Sequence, residues 1–106
     1  MDVESDDERR ARVTEALRGV LDPELGLNVV DLGLVYEVAL DARGVHVRLA
    51  MTTPACPLGE EIVRDAEERL RAVEGLGVVE VELVHEPPWG PERMSQAARE
   101  ALGWGR

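Results

Sequence analysis

The chain has 106 residues, a formal charge of −10 and a single cysteine, Cys56. That length suits one domain able to bury roughly two-thirds of the surface its unfolded chain exposes, and one thiol allows no internal disulfide. The acidic excess argues against nucleic acid, which needs cationic neutralisation of phosphates, and against anionic membrane surfaces.

Ser5 and Glu8 have capping-box spacing, and Val13, Ala16, Leu17, Val20 and Leu21 recur at helical spacing, predicting a first helix from about residue 6 to 21. Pro23 stops it by pushing Asp22 out of the helical region. Residues 22–33 are apolar but aperiodic, with one Pro and two Gly, and read as an ordered, packed loop. From Leu34 the period becomes two: Leu34, Tyr36, Val38 and Leu40 face one way, Glu37 and Asp41 the other. After the turn signal Asp41-Ala42-Arg43-Gly44, Val45, Val47, Leu49 and Met51 alternate with His46 and Arg48, completing a hairpin with one buried face.

Leu58, Ile62, Val63, Ala66, Leu70 and Val73 then form a helical stripe, with Gly75 as C-cap. A third strand alternates Val79, Val81 and Leu83 with Glu80 and Glu82, and Pro91 opens a last short helix with Met94, Ala97, Ala98, Ala101 and Leu102 inward. The order is α-β-β-α-β-α. It predicts a two-layer α+β domain, a small mixed three-stranded sheet covered by helices on one face, with a parallel crossover joining strands two and three. Residues 1–8 are taken as an acidic, flexible N-terminus and 9–106 as the domain. Phe is absent, so the core is expected to be Val, Leu, Ile and Ala, and base-stacking platforms are not expected. No basic N-terminal stretch precedes an apolar one, and no apolar run nears the roughly 20 residues of a membrane span; a cytoplasmic protein with a reduced thiol is expected.

The cysteine stands in TTPACPL, residues 52–58. Pro57 suits the first position of the second helix, which puts Cys56 at its N-cap. Unpaired amides and the positive helix end lower a thiol's pKa there, and a drop of about two units makes the thiolate roughly three-quarters of the population at neutral pH. Such a sulfur is a better nucleophile and metal ligand, and Thr52 and Thr53 can donate hydroxyl hydrogen bonds to it. The plainer reading is a buried small hydrophobe. Asp22 and Glu24 can bring carboxylates to the site, or Asp-Pro-Glu can be an ordinary helix-stop turn. His85 shares the parity of Leu83 and, with strands two and three parallel, lies at the sheet end of Cys56, as base, ligand or simple strand-end histidine. His46 faces the polar side. Trp89, held by Pro87 and Pro88, reads as a packing anchor or a partner contact.

Taken together, Asp22-Pro23-Glu24, the run 29–36 (VVDLGLVY), Thr52-Thr53-Pro54-Ala55-Cys56-Pro57-Leu58, Pro87-Pro88-Trp89 and Met94 resemble, in order and spacing, the small iron–sulfur cluster assembly family of the SufT and PaaD type. The resemblance runs from about residue 9 to 104. It implies an α+β fold, a role in maturing or delivering iron–sulfur clusters, and a functional pocket at Asp22, Glu24, Thr52, Thr53 and Cys56. PaaD-like relatives often carry extra C-terminal cysteines that this chain lacks, which favours a general role over a phenylacetate-pathway one.

A stable cluster usually takes four thiolates, and one chain supplies one, or two as a homodimer. No permanently bound cofactor is therefore expected. Cys56 is read as a transient ligand for a cluster or iron, in a non-enzymatic maturation factor whose partners are an iron–sulfur scaffold or carrier and client apoproteins, with a homodimer left open. Asp22 or Glu24 would be the harder ligand or proton acceptor, Thr52 and Thr53 the donors that orient sulfur, and His85 and Trp89 auxiliaries. Two alternatives stand beside it: a single-cysteine thiol redox enzyme, since Thr53-Pro54-Ala55-Cys56 fits a Thr-x-x-Cys pattern, and a pure protein-interaction adaptor without metal chemistry.

Overall fold

A computed structural model describes residues 5–23, 25–52 and 59–103 of the chain. Helix α1, Asp6–Leu17, begins where the sequence gives a reciprocal cap. Ser5 Oγ accepts from the Glu8 amide and Glu8 Oε1 accepts from the Ser5 amide, both at 3.1 Å. Three acidic residues in the first turn, Asp6, Asp7 and Glu8, also complement the positive helix end. Residues 5–8, assigned from sequence to a flexible terminus, thus form the folded start of the helix.

The helix ends at Leu17, four residues before the expected stop. The physical reason lies in the backbone that follows. Val20 O accepts from the Val29 amide at 3.0 Å and the Asp22 amide donates to Leu27 O at 2.9 Å. These loop partners outcompete another helical turn, and Leu21, expected on the inner stripe, is 54% exposed.

Strands β1 (Val35–Leu40) and β2 (Gly44–Leu49) pair antiparallel, and β3 (Val78–Leu83) joins β2 in parallel, giving the order β1-β2-β3. The parallel pair needs a crossover, supplied by α2, Gly59–Arg71, which buries Ile62, Ala66 and Leu70. Its acidic first turn and its Arg69 and Arg71 last turn both suit the helix dipole. Gly75, the expected C-cap, has φ +85° but follows the helix end by four residues. The mixed three-stranded α+β architecture expected from sequence is the one present.

Alternation breaks once in β1. Val35 opposes Leu49 and Glu37 opposes Arg48, leaving Tyr36 as the extra residue of a bulge rather than a member of the regular inner row. Val45, Val47 and Leu49 of β2 are buried, while Arg48, Glu80 and Glu82 lie exposed on the outer face. The core beneath is aliphatic, with Met51 and Met94 added to the expected residue types.

The C-terminal helix is two pieces. A 3-10 turn, Pro91–Arg93, gives way to α3, Gln96–Leu102, whose N-cap Ser95 accepts from the Ala98 amide at 3.1 Å. The break comes because the Ser95 amide donates to Asp31 O at 2.7 Å instead of continuing a helix. The later start shifts the inner face: Met94 and Ala98 are buried, but Ala97 and Ala101 are exposed.

Candidate functional site

The Asp-Pro-Glu loop and the end of β2 meet in space. Asp22 is the one polar or charged residue buried among those described, at 1% exposure. A carboxylate taken from water needs hydrogen-bond donors. Its Oδ1 accepts from the Leu25 amide at 3.2 Å, and its Oδ2 accepts from Thr52 Oγ1 at 3.4 Å. Its carbonyl accepts from the Gly26 amide at 2.7 Å. Asp22 thus organises a turn, and its carboxylate also accepts a hydrogen bond from Thr52, the first residue of the TTPACPL segment.

Thr52 lies three residues beyond β2. Glu24, Thr53 and Cys56, with the N-cap placement of the thiol and the Pro57 start of the helix, lie outside the described residues. Both flanks of the segment are described. Thr52 is tied to Asp22, and Gly59, where α2 begins, packs so closely on the sheet that a Cβ there would sit 3.0 Å from Leu83 Cδ2 and 3.6 Å from Met51 Cγ. Of the two flanks, Thr52 directly follows Met51 in the chain and Gly59 packs against Met51.

His85 follows β3 by two residues. Leu49 opposes Leu83 and the Val84 amide donates to Leu49 O at 2.8 Å, so His85 is carried to the sheet end from which Thr52 emerges, and it is exposed there. Trp89 is half-buried against the core, with its indole N–H donating to Leu32 O at 2.6 Å. The peptide bond Glu86–Pro87 is cis.

Sequence reasoning missed the group that frames this region. Asp31 Oδ2 accepts from the Asn28 side-chain amide at 2.9 Å, Asn28 Oδ1 accepts from the Asp31 amide at 2.9 Å, and Arg18 reaches Asp31 Oδ1 at 3.2 Å. The Asn-x-x-Asp spacing is the signal that was available for the Asn28 pair. Neighbouring Gly33 has φ +76°, and a Cβ on it would lie 2.1 Å from Arg93 O. Arg93 in turn sets its guanidinium 4.5 Å from the centroid of the Tyr36 ring. On the outer sheet face His46 contacts Glu82 at 2.9 Å and Glu80 at 3.4 Å. Glu82 first, then Glu80, raise its pKa above the ordinary histidine value. Asp41, at the hairpin turn, is held below the usual carboxylate range by the amides of Arg43 and Gly44. Among the described residues no cluster of three or more His, Cys, Asp or Glu is arranged to hold a metal ion, and no helix is long and apolar enough to cross a membrane.

The family model described as "Iron-sulfur cluster assembly protein" matches residues 10–83. The Fe-S protein maturation auxiliary factor YitW of Bacillus subtilis is 39% identical over 95 residues, covering 89% of this chain and 93% of YitW. The Fe-S protein maturation auxiliary factor SufT of Staphylococcus aureus is 41% identical over 85 residues, covering 79% of this chain and 97% of SufT. A crystal structure of a domain of unknown function from Bacillus anthracis superposes with a TM-score of 0.83 at 40% identity, covering 88% of this chain and 90% of that one. With a match spanning most of the sequence and the same fold in a solved relative, the chain belongs to the iron–sulfur cluster assembly protein family.

Proposed function

We propose that this chain is an accessory factor in iron–sulfur cluster assembly or delivery, in which the Cys56 thiolate is a transient ligand for a cluster or iron passing to a client apoprotein. Family membership supports the process, as do the names of YitW and SufT. The observation that carries the site is the Thr52–Asp22 hydrogen bond, which joins the two sequence motifs that flank it.

In this reading the cluster is cargo. One thiol per chain is far from the four thiolates of a stable cluster, so a weak hold and a ready release are the chemistry to expect. Release exchanges the Cys56 sulfur–iron bond for a client thiolate–iron bond, with no change of oxidation state. Asp22 or Glu24 offers a harder oxygen ligand or takes the proton of the incoming thiol. A hydroxyl has one proton, so while Thr52 donates it to Asp22 the role of sulfur donor falls to Thr53, and Thr52 holds the carboxylate in place. The scaffold or carrier supplying the cluster and the client receiving it meet the protein at this end of the sheet, in the cytoplasm.

Anaerobic reconstitution with iron and sulfide, followed by absorption spectroscopy and transfer to an apo-client, tests the proposal. The wild type should show thiolate–iron bands that disappear on transfer, and Cys56→Ser should lose both the bands and client maturation in cells. A cluster held tightly by Cys56→Ser, or unchanged maturation by that variant, overturns the ligand assignment. Unchanged maturation together with its loss in Asp22→Asn would leave an adaptor without metal chemistry.

A further inference from the structure

β3 is the outer strand of the sheet on the side away from the hairpin, and half of its backbone faces outward. The Val78 amide donates to Arg43 O and the Val84 amide to Leu49 O, both at 2.8 Å, so the even-numbered residues turn toward β2. In a parallel ladder the alternate residues, Val79, Val81 and Leu83, then point their N–H and C=O groups away from it. Among the described residues no further strand follows in the sheet, and the C-terminal segment fastens to Asp31 and Leu32, ahead of β1.

Chemistry is graded across this edge. On the helical side a groove of about 300 Å³ runs between β3 and α2, lined by Leu83, Val63, Glu60, Arg64 and Glu67. On the outer face stand Glu80 and Glu82, whose side chains are 69% and 49% exposed. We propose that the β3 edge receives an extended segment of a partner protein, alternating apolar and cationic residues, as a fourth strand. Side chains of such a strand alternate between faces, so its apolar residues would enter the groove beside Val63 and Leu83 while its cations met Glu80 and Glu82. The same pattern already exists on the other side of β3, where His46 opposes Glu80 and Arg48 opposes Glu82. The chain's charge of −10 would speed the approach of a cationic segment.

A second copy of this chain is the wrong occupant. Antiparallel pairing of two β3 strands about Val81 sets Glu80 of each across from Glu82 of the other, and like charges directly opposed are destabilising. The two glutamates thus reject self-association at an otherwise open edge while selecting cations. The surface does not use Cys56 and stands or falls separately from the cluster chemistry.

The test is titration of the isotope-labelled full chain with a capped nine-residue synthetic peptide of alternating Val and Arg, followed by amide NMR and hydrogen exchange. The Val79, Val81 and Leu83 amides should shift and become protected, less so at high salt, and a Val/Glu peptide of equal length should leave them unchanged. Val81→Pro removes the central outward N–H without touching the β2 ladder and should weaken binding about tenfold. Glu80→Arg, which does not alter the backbone, should lose the Arg peptide and gain the Glu peptide, and decides the matter if Val81→Pro does not fold. Protection at other amides, equal binding of both peptides, or Glu80→Arg behaving as wild type overturns the proposal. So does protection of these three amides in the protein alone that grows with its concentration, which would mean a second copy is the occupant.

Discussion

Thr52 Oγ1 donates to Asp22 Oδ2 across 3.4 Å, joining residues thirty positions apart in the chain. The bond links the loop after α1 to the end of β2, so its loss should register in stability as well as in function. Asp22 is buried, and removing its carboxylate in Asp22→Ala strands the Leu25 amide, with an expected cost of about 1–3 kcal/mol. Thr52→Val should cost less, about 1 kcal/mol. Urea denaturation of both single variants and the double variant gives the coupling, expected at about 0.5–1.5 kcal/mol; a value near zero would mean the two residues act independently.

Gly33 and Trp89 make a second, purely structural prediction. Gly33→Ala introduces a Cβ 2.1 Å from Arg93 O at a φ that alanine avoids, and should destabilise by about 2–4 kcal/mol. Trp89→Phe keeps most of the ring packing but leaves Leu32 O without its donor, an expected loss of about 1 kcal/mol. Equilibrium unfolding should rank them in that order, and a Gly33→Ala variant as stable as wild type would contradict the close approach.

Protonation of His46 gives a pH dependence with a definite sign. Its folded pKa is raised by Glu82 and Glu80 above the ordinary value of 6.5, so the folded state binds the proton more tightly than the unfolded one. The contribution is complete below the unfolded pKa and fades as pH rises through the folded value. Asp41 and Arg43 border the same depression as His46 and Glu80, and Arg48 shares Glu82. The ring is 36% exposed, so solvent screening limits the effect to about 0.5 kcal/mol. The melting temperature of wild type relative to His46→Gln should show an advantage near pH 5.5 that disappears by about pH 9. A gap that widens with pH would reverse the assignment.

Much of the fold was legible because its signals are local. Alternation in 45–49 and 79–83 and the capping box at Ser5 each depend on residues close in sequence, and the parallel crossover follows from the length between two strands. The misses share a cause: each comes from a backbone partner distant in sequence or from a choice between helix and loop. α1 ends early because Val20 and Asp22 bond to Val29 and Leu27, and the last helix divides because Ser95 bonds to Asp31. The Tyr36 bulge depends on the register of β2. At the candidate site, residue types pointed to Asp22 and Thr52, whereas their contact needed the fold; the half-buried framework of Asn28, Asp31 and Gly33 went unread because its members look like ordinary turn residues.

The way the C-terminal segment is held has an evolutionary consequence. Trp89 and Ser95 bond to the main-chain carbonyls of Leu32 and Asp31, groups that every amino acid carries. Substitution on the receiving side cannot delete those acceptors, although it can displace them. Mutational sensitivity of the latch should therefore be lopsided: the indole N–H of Trp89 can be lost in a single codon change, while the residue whose carbonyl it grips can drift among side chains of suitable bulk. In a deep mutational scan, tolerance at position 32 for aliphatic exchange beside intolerance at position 89 would be the imprint of that asymmetry.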